Sequence, residues 1–258
     1  MVRREKTNYV IQSVSHAFDV LEQFSAETDE LGVTELSKRL KLHKNNVFRL
    51  LATLESRGYI EQNKATENYR LGLNCLKLGQ TFVSQMGLLR QAQPILQELV
   101  EKTGETAYIG VLRRGEVVPL QSVEADQAVR AISLIGRALP LHATAAGKAH
   151  LAFEPQESIK TALPESLSRH TDKTLTKRGE LLADLKAAAE RGYTSEAGEY
   201  LADLAAIAVP IRDYTRAVVG SLAISAPEYR MGADRIRKEL APEALRAGRD
   251  LSSRLGGA

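Results

Sequence analysis

A single cysteine, no tryptophan and only 5% aromatic residues remove several classes of chemistry from this 258-residue chain at the outset. Cys75 alone forms no internal disulfide and supplies no thiolate cluster, and the five histidines show no paired metal-ligand spacing. Neither a metal nor a cofactor is therefore expected. No stretch approaches the ~18 apolar residues of a membrane span, so no membrane partner is expected. The charged start Met1 to Lys6 is followed by no apolar signal region, and a cytoplasmic location is the expectation. A glycine-rich phosphate loop with the right flanks is lacking, as are internal repeats and low-complexity tracts, which argues against a nucleotide enzyme and against solenoids. Charge of one sign is scarce too: the net charge is +3, too small to indicate a nucleic-acid partner by itself. What is present, 43% hydrophobic and 26% charged residues, fits a chain long enough for two modest domains.

The first seventy residues carry three helical patterns. Ile11, Val14, Phe18, Leu21 and Phe24 fall on one helical stripe, and after the polar break Ser25 to Glu30 a short helix follows through Val33, Leu36 and Leu40, with Thr34 near its cap. A third helix is set by Val47, Leu50, Leu51 and Leu54, at i, i+3, i+4 and i+7, and stops at Gly58. Short helix, turn and longer helix is the outline of a helix-turn-helix. Burying Val47 and Leu51 turns Asn45, Arg49, Ala52 and Ser56 outward, flanked by Asn46 and Phe48. Asparagine pairs with adenine, arginine with guanine, and an exposed phenylalanine meets a thymine methyl. From Leu36 to Leu54 the chain carries Lys38, Arg39, Lys41, Lys44 and Arg49 and no acid, a local cationic patch suited to phosphates. Tyr59 to Gln62 and Asn68 to Leu71 then form a hairpin, a wing with Lys64 at its tip and Arg70 at its base. A protein-interaction module with a solvated basic face is the competing reading of this segment.

Leu73 to Gln91 keeps a helical pattern through Leu76, Leu78, Phe82, Val83, Met86 and Leu89, with apolar residues around the helix that suit either a second copy of the chain or a plain core. Another helix follows to Lys102. The period then changes to two. Thr106 to Leu112 with Val117 to Val123, and Ala205 to Ile211 with Ala217 to Ser225, are expected hairpins, with Val129 to Ile135 a further strand and Asp234 to Leu255 a closing helix. Strand pairs interrupted by helices indicate an α+β architecture with an antiparallel sheet. The expected division is 1–72 for the winged helix-turn-helix domain, 73–91 for a linker helix and 92–258 for the second domain.

The segment Leu139-Pro-Leu-His-Ala-Thr-Ala-Ala-Gly-Lys148 leads a loop of small residues into a helix. Free amides at such a start, around Ala145, Ala146 and Gly147, suit a carboxylate or phosphate. Small residues equally allow a helix to pack closely on a sheet, and the sequence leaves both readings open. His142 and His150 flank this loop, and a structural role ranks above a ligand role for each. Glu196 and Glu199 have the spacing of paired carboxylates, but with no nucleophile or metal motif at least one is expected to be a surface acid. Cys75 is expected to be buried and inert.

Taken together, Ser13 to Phe24, Lys44 to Tyr59 with its ending Arg49-Leu-Leu-Ala-Thr-Leu-Glu-Ser-Arg-Gly-Tyr59, Leu139 to Ala149, Ile207-Ala-Val-Pro210 and Gly220 to Pro227 resemble the IclR family of bacterial transcriptional regulators over nearly the whole chain. The resemblance implies a regulator, expected to be a repressor, that binds double-stranded operator DNA as a homodimer or dimer of dimers. It also implies a GAF-like second domain that takes a small-molecule effector, expected to be an organic acid. By family motif, Ala145 and Ala146 supply amides, Glu196 the acid and Ser225 a serine to the effector pocket. Two positions depart from the pattern: Ala206 stands where many members have cysteine, and Ala223 where they have a second serine. Two lost polar groups point to a larger or more apolar carboxylate than glyoxylate, and the missing cysteine further reduces the expectation of a metal. The competing classes are a non-sensing dimeric DNA-binding protein and an enzyme acting on a small acid through Glu196 and His142.

Overall fold

The structure is a computed structural model that describes residues 10–25, 28–85, 87–154, 159, 162–163 and 166–257. Two compact units divide between Gln85 and Met86.

In the first unit, α1 (Gln12–Leu21), α2 (Val33–Leu40) and α3 (Lys44–Ser56) precede the hairpin β1 (Ile60–Gln62) and β2 (Tyr69–Leu71), and α4 (Leu73–Gln85) follows. Val20, Leu31, Leu36, Val47, Leu51, Leu54, Ile60 and Tyr69 form its core. The turn between α2 and α3 begins at Lys41, whose φ of 54° ends α2 in the left-handed region. Gly58, at φ 69°, ends α3 as expected. Leu31 exchanges both backbone hydrogen bonds with Tyr69 at 2.9 Å, which ties the hairpin to the helices.

Two expectations for this unit need correction. Ile11, Val14 and Phe18 share a stripe but remain 67, 49 and 58% exposed, because Ala17, Val20 and Leu21 carry the contact of α1 with the core. Gly32, not Thr34, precedes α2, with no side-chain cap. On α4, Leu73, Leu76 and Leu78 are exposed. The side chains of Phe82 and Val83, and Met86 as a whole, lie outside the described residues, as does the start Met1 to Lys6.

The second unit contains α5 (Gly87–Thr103), β3 (Thr106–Arg113), β4 (Glu116–Val123), β5 (Leu139–Pro140), α6 (Ala145–Ala152), α7 (Arg178–Arg191), β6 (Thr194–Ala197), β7 (Leu204–Arg212), β8 (Val218–Pro227) and α8 (Ala241–Arg254). Its six strands run antiparallel in the order β5-β4-β3-β8-β7-β6. Alternation gives the sheet two unlike faces. Ala107, Ile109, Val111, Ile207, Val209, Ile211, Leu222 and Ile224 point toward α5 and α8. The other face carries mainly small residues, Ala206, Ala208, Ala223 and Ser221, and receives α6 and α7. Gly147 is needed there, since a Cβ at that position would lie 2.5 Å from the backbone of Leu141.

The α+β class and both long hairpins stand as expected. Val129 to Ile135 is not a strand. It belongs to a loop fixed by side chains: Thr106 Oγ1 donates to Ala131 O at 2.8 Å, and Glu124 accepts from Arg130 at 2.9 Å and from the Ser133 amide at 3.0 Å. The short strand β6 was not foreseen, because Thr-Ser-Glu-Ala has no apolar alternation to reveal it. The closing helix is interrupted by a π-helical turn, Ile236–Leu240.

Candidate functional sites: a basic helix face and an enclosed acid cavity

Helix α3 is amphipathic in the simplest way. Val47, Leu51 and Leu54 are buried while Lys44, Asn45, Asn46, Phe48, Arg49, Ala52 and Ser56 are exposed. Phe48 is 56% exposed. Asn46 and Arg49 border a groove completed by Gln12, Ser13, His16 and Thr53. Lys38, Lys41, Lys44, Arg49 and Lys64 form no ion pair among the described residues, whereas Arg39 pairs with Glu35 at 3.0 Å and Arg70 with Glu61 at 3.4 Å. Lys64 therefore presents its charge at the wing tip, while Arg70 begins from a partner within its own hairpin. The wing is shaped by Glu30, which accepts from Asn63 at 2.7 Å and Thr66 at 2.9 Å; these two hydrogen bonds hold its carboxyl below the usual range.

The second site is a small cavity, part of it open to solvent, between the small-residue face of the sheet, the start of α6 and the loop after β4. Of the residues expected from the sequence, Ala145, Glu196, Ala206 and Ser225 line it. Thr106, Ser225, Ala206 and Glu196 sit in register across β3, β8, β7 and β6, and this row places three of the four. Ala146 and Ala223 are not in the wall; both are fully buried in the core behind it. The two readings of the small-residue segment thus divide by residue, with Ala145 at the cavity and Ala146 and Gly147 serving close packing.

Thr144 is the residue that opens α6, a role the sequence reading did not assign. Its Oγ1 accepts from the Gly147 amide at 3.1 Å and its carbonyl from Lys148 at 2.9 Å. That leaves the Ala145 and Ala146 amides without an intrahelical acceptor.

Glu196 is the buried acid of the wall. Burial, reinforced by the nearby Glu199 charge, pushes its pKa up to about 8, although its Oε2 accepts from the Glu199 amide at 3.0 Å. Burial also pushes the Tyr108 phenol well above its ordinary value. Burial thus favours the protonated form of both groups.

Contrary to expectation, neither member of the Glu196–Glu199 pair is a surface acid: both are buried. Glu199 binds Lys148 at 2.6 Å, and Lys148, 1% exposed, also binds Asp184 at 2.8 Å. One buried cation thereby joins α6, α7 and the turn after β6. The sequence offered the signal, a lysine among Ala-Ala-Gly and Ala-His, but no partner could be assigned from spacing. His142 and His150 do not line the cavity. His142 shares a 2.8 Å hydrogen bond with Ser168 O, and burial lowers the His150 pKa to about 4 while its Nε2 faces Gly110 O at 3.4 Å. Cys75 is half-buried, its Sγ 3.2 Å from Tyr59 O, and burial raises its pKa.

Comparison with known proteins gives two family matches: the IclR helix-turn-helix domain over 13–64, and the bacterial transcriptional regulator IclR C-terminal domain over 80–253. The chain is 34% identical over 247 residues to the HTH-type transcriptional regulator KdgR of Dickeya chrysanthemi, covering 95% of this chain and 80% of that one. Among solved structures, one from Silicibacter sp. TM1040, described as an ICLR transcriptional regulator, is 30% identical with a TM-score of 0.77, over 95% of this chain and 97% of that one. An IclR homolog from Microbacterium hydrocarbonoxydans, solved in complex with 4-hydroxybenzoate, shares the fold at 22% identity and a TM-score of 0.82, over 95% of this chain and all of that one, at 100%.

Proposed function

Since the chain belongs to the IclR family of bacterial transcriptional regulators, we propose that the outward face of α3 reads operator DNA and that the cavity of the second unit senses an organic acid. The chain is a DNA-binding transcriptional regulator with a separate effector-binding domain, not an enzyme. The observation that carries the detailed reading is the exposed set Asn45, Asn46, Phe48 and Arg49 on a helix whose opposite side is fully buried. Bidentate contacts from Asn and Arg specify bases, while Lys44, Lys64 and Arg70 meet phosphates.

In the cavity, the Ala145 amide, the Ser225 hydroxyl and the protonated Glu196 receive the effector's carboxylate, with Ala206 widening the space beside them. The Microbacterium homolog's complex with 4-hydroxybenzoate supports a carboxylate of this size. The proposed division is 1–72 for DNA binding, 73–91 as a linker and 92–258 for sensing, and the proposed assembly is a homodimer or dimer of dimers. Exposed Ile11, just before α1, Val14 and Phe18 on α1, and Leu73, Leu76 and Leu78 on α4, favour a partner copy. Repression and a cytoplasmic location complete the reading; among the described residues no helix is long and apolar enough to cross a membrane.

The test is a gel-shift titration against the DNA upstream of the chain's own gene, with random duplex as competitor and salt varied. Saturable binding that survives the competitor is expected, and a bound acid should change its affinity. Equal binding to operator and random duplex at every salt concentration would overturn the base-reading assignment.

A further inference from the structure

Three buried side-chain atoms have no hydrogen-bond partner among the described residues: Gln121 Oε1, Ser133 Oγ and Glu199 Oε2. Of their residues only Ser133 lines the cavity. Buried hydroxyls are ordinarily paired, so an orphan in a cavity wall marks a place where a ligand atom or water belongs. Its position is fixed. The Ser133 amide donates to Glu124 Oε1 at 3.0 Å, Ala131 O accepts from Thr106 at 2.8 Å, and the Gly136 amide donates to Pro119 O at 2.8 Å. These bonds anchor the loop to Thr106 on β3, to Glu124 just after β4 and to Pro119 on β4, and Pro119 and Ser122 line the β4 end of the cavity.

The anion groups lie at the other end, on β8, β6 and the start of α6. Ser122 pairs with Tyr108, and Tyr108 pairs with Ala223, two residues from Ser225. Crossing from β8 to β4 spans two strand spacings, about 10 Å. Between β8 and β4 the wall is formed by Tyr108 on β3, with Ile132 and Leu134 flanking Ser133 in the loop. No lysine, arginine or histidine stands among the lining residues, so a second charge at the Ser133 end would be left unpaired.

We propose that Ser133 is a specificity-determining residue, and that the cavity takes an elongated monocarboxylate bearing an uncharged hydroxyl or carbonyl at its far end. This rests on the effector-cavity reading and adds the second anchor. The carboxylate sits at Ala145, Glu196 and Ser225, the apolar middle fills the span, and Ser133 Oγ hydrogen-bonds the distal polar atom. A two- or three-carbon acid reaches only the first anchor. A dicarboxylate leaves its second charge without a partner.

The test is calorimetric titration of the full chain with two matched sets, hexanoate, 6-hydroxyhexanoate and adipate, and the rigid benzoate, 4-hydroxybenzoate and terephthalate, with pyruvate as the short acid. In at least one set the hydroxy acid should bind about 5- to 10-fold more tightly than its deoxy and dicarboxylate counterparts, the worth of one neutral hydrogen bond. Ser133→Ala should bring the hydroxy acid down to the deoxy acid and leave the deoxy acid unchanged, and Ser133→Thr should keep part of the preference. No preference in either set, a preference that survives Ser133→Ala, or no binding of any elongated acid overturns the proposal. Binding of pyruvate alone overturns it while sparing the effector-cavity reading. The gel shift on the same preparation reports DNA binding independently of either result.

Discussion

Lys64 and Lys148 are the same residue type in opposite settings. At the wing tip Lys64 is solvated and forms no ion pair among the described residues, so its charge is available to a phosphate arriving from outside. Lys148 is 1% exposed and holds Asp184 and Glu199 at 2.8 and 2.6 Å. The contrast extends to the two sites. The first unit keeps its functional groups at the surface, where each contributes little to folding and much to encounter. The second unit buries its polar groups, where protonation states and partners are set by burial.

If that difference is real, substitutions at the two sites should differ in kind. The largest effect is expected at Lys148→Met, which leaves the buried Glu199 uncompensated and Asp184 with only Arg191 at 3.9 Å, and should destabilise the second unit by about 3–5 kcal/mol. Urea denaturation measures it; a change below 1 kcal/mol would mean that water, not Lys148, neutralises this cluster.

Glu196→Gln should act through pH. With a folded pKa of about 8 against an ordinary 4.5, Glu196 binds a proton in the folded chain that the unfolded chain has released. Its contribution is fully present below 4.5 and lost as pH rises toward 8, and Gln should flatten stability over that window. The same proton makes acid binding weaken above about pH 8. His150, at about 4, has the opposite slope: it favours the folded state above its ordinary 6.5 and loses that contribution as pH falls toward 4. Denaturation midpoints at several pH values, with and without each substitution, separate the two slopes.

At the basic face stability should hardly move. Arg49→Ala is expected to weaken operator binding by about 1–3 kcal/mol while leaving random duplex nearly unchanged; equal losses on both would make Arg49 a phosphate contact. Smallest of all, Lys64→Ala should weaken every sequence alike and lower the salt slope by about 0.9. An effect of Lys64→Ala on operator specificity would dissolve the distinction drawn between wing and helix.

Legibility differed between the sites for physical reasons. The face of α3 follows from helical geometry alone: once Val47 and Leu51 are inside, Asn45 and Arg49 must be outside. The same logic misled at α1, where periodicity placed Ile11, Val14 and Phe18 on one side but could not say what that side faces. In the second unit, Glu196, Ala206 and Ser225 came from the family resemblance. Their approach depends on the register of three consecutive strands, and Lys148 meets Asp184 and Glu199 only across 36 and 51 residues of chain.

By itself the sequence determined most local elements of this protein: the periodicity of the first helices, the alternation of the two long hairpins and the basic α3 face. Hydrophobic periodicity and capping act over a few residues and are written in consecutive positions. Only the tertiary structure decided which polar groups are buried together. Antiparallel pairing brings Thr106, Ser225, Ala206 and Glu196 into one row, and α6 and α7 deliver Lys148 and Asp184 to Glu199. A pKa, an ion pair or an orphan hydroxyl is set by neighbours within a few ångströms, and the order of residues along the chain does not name them.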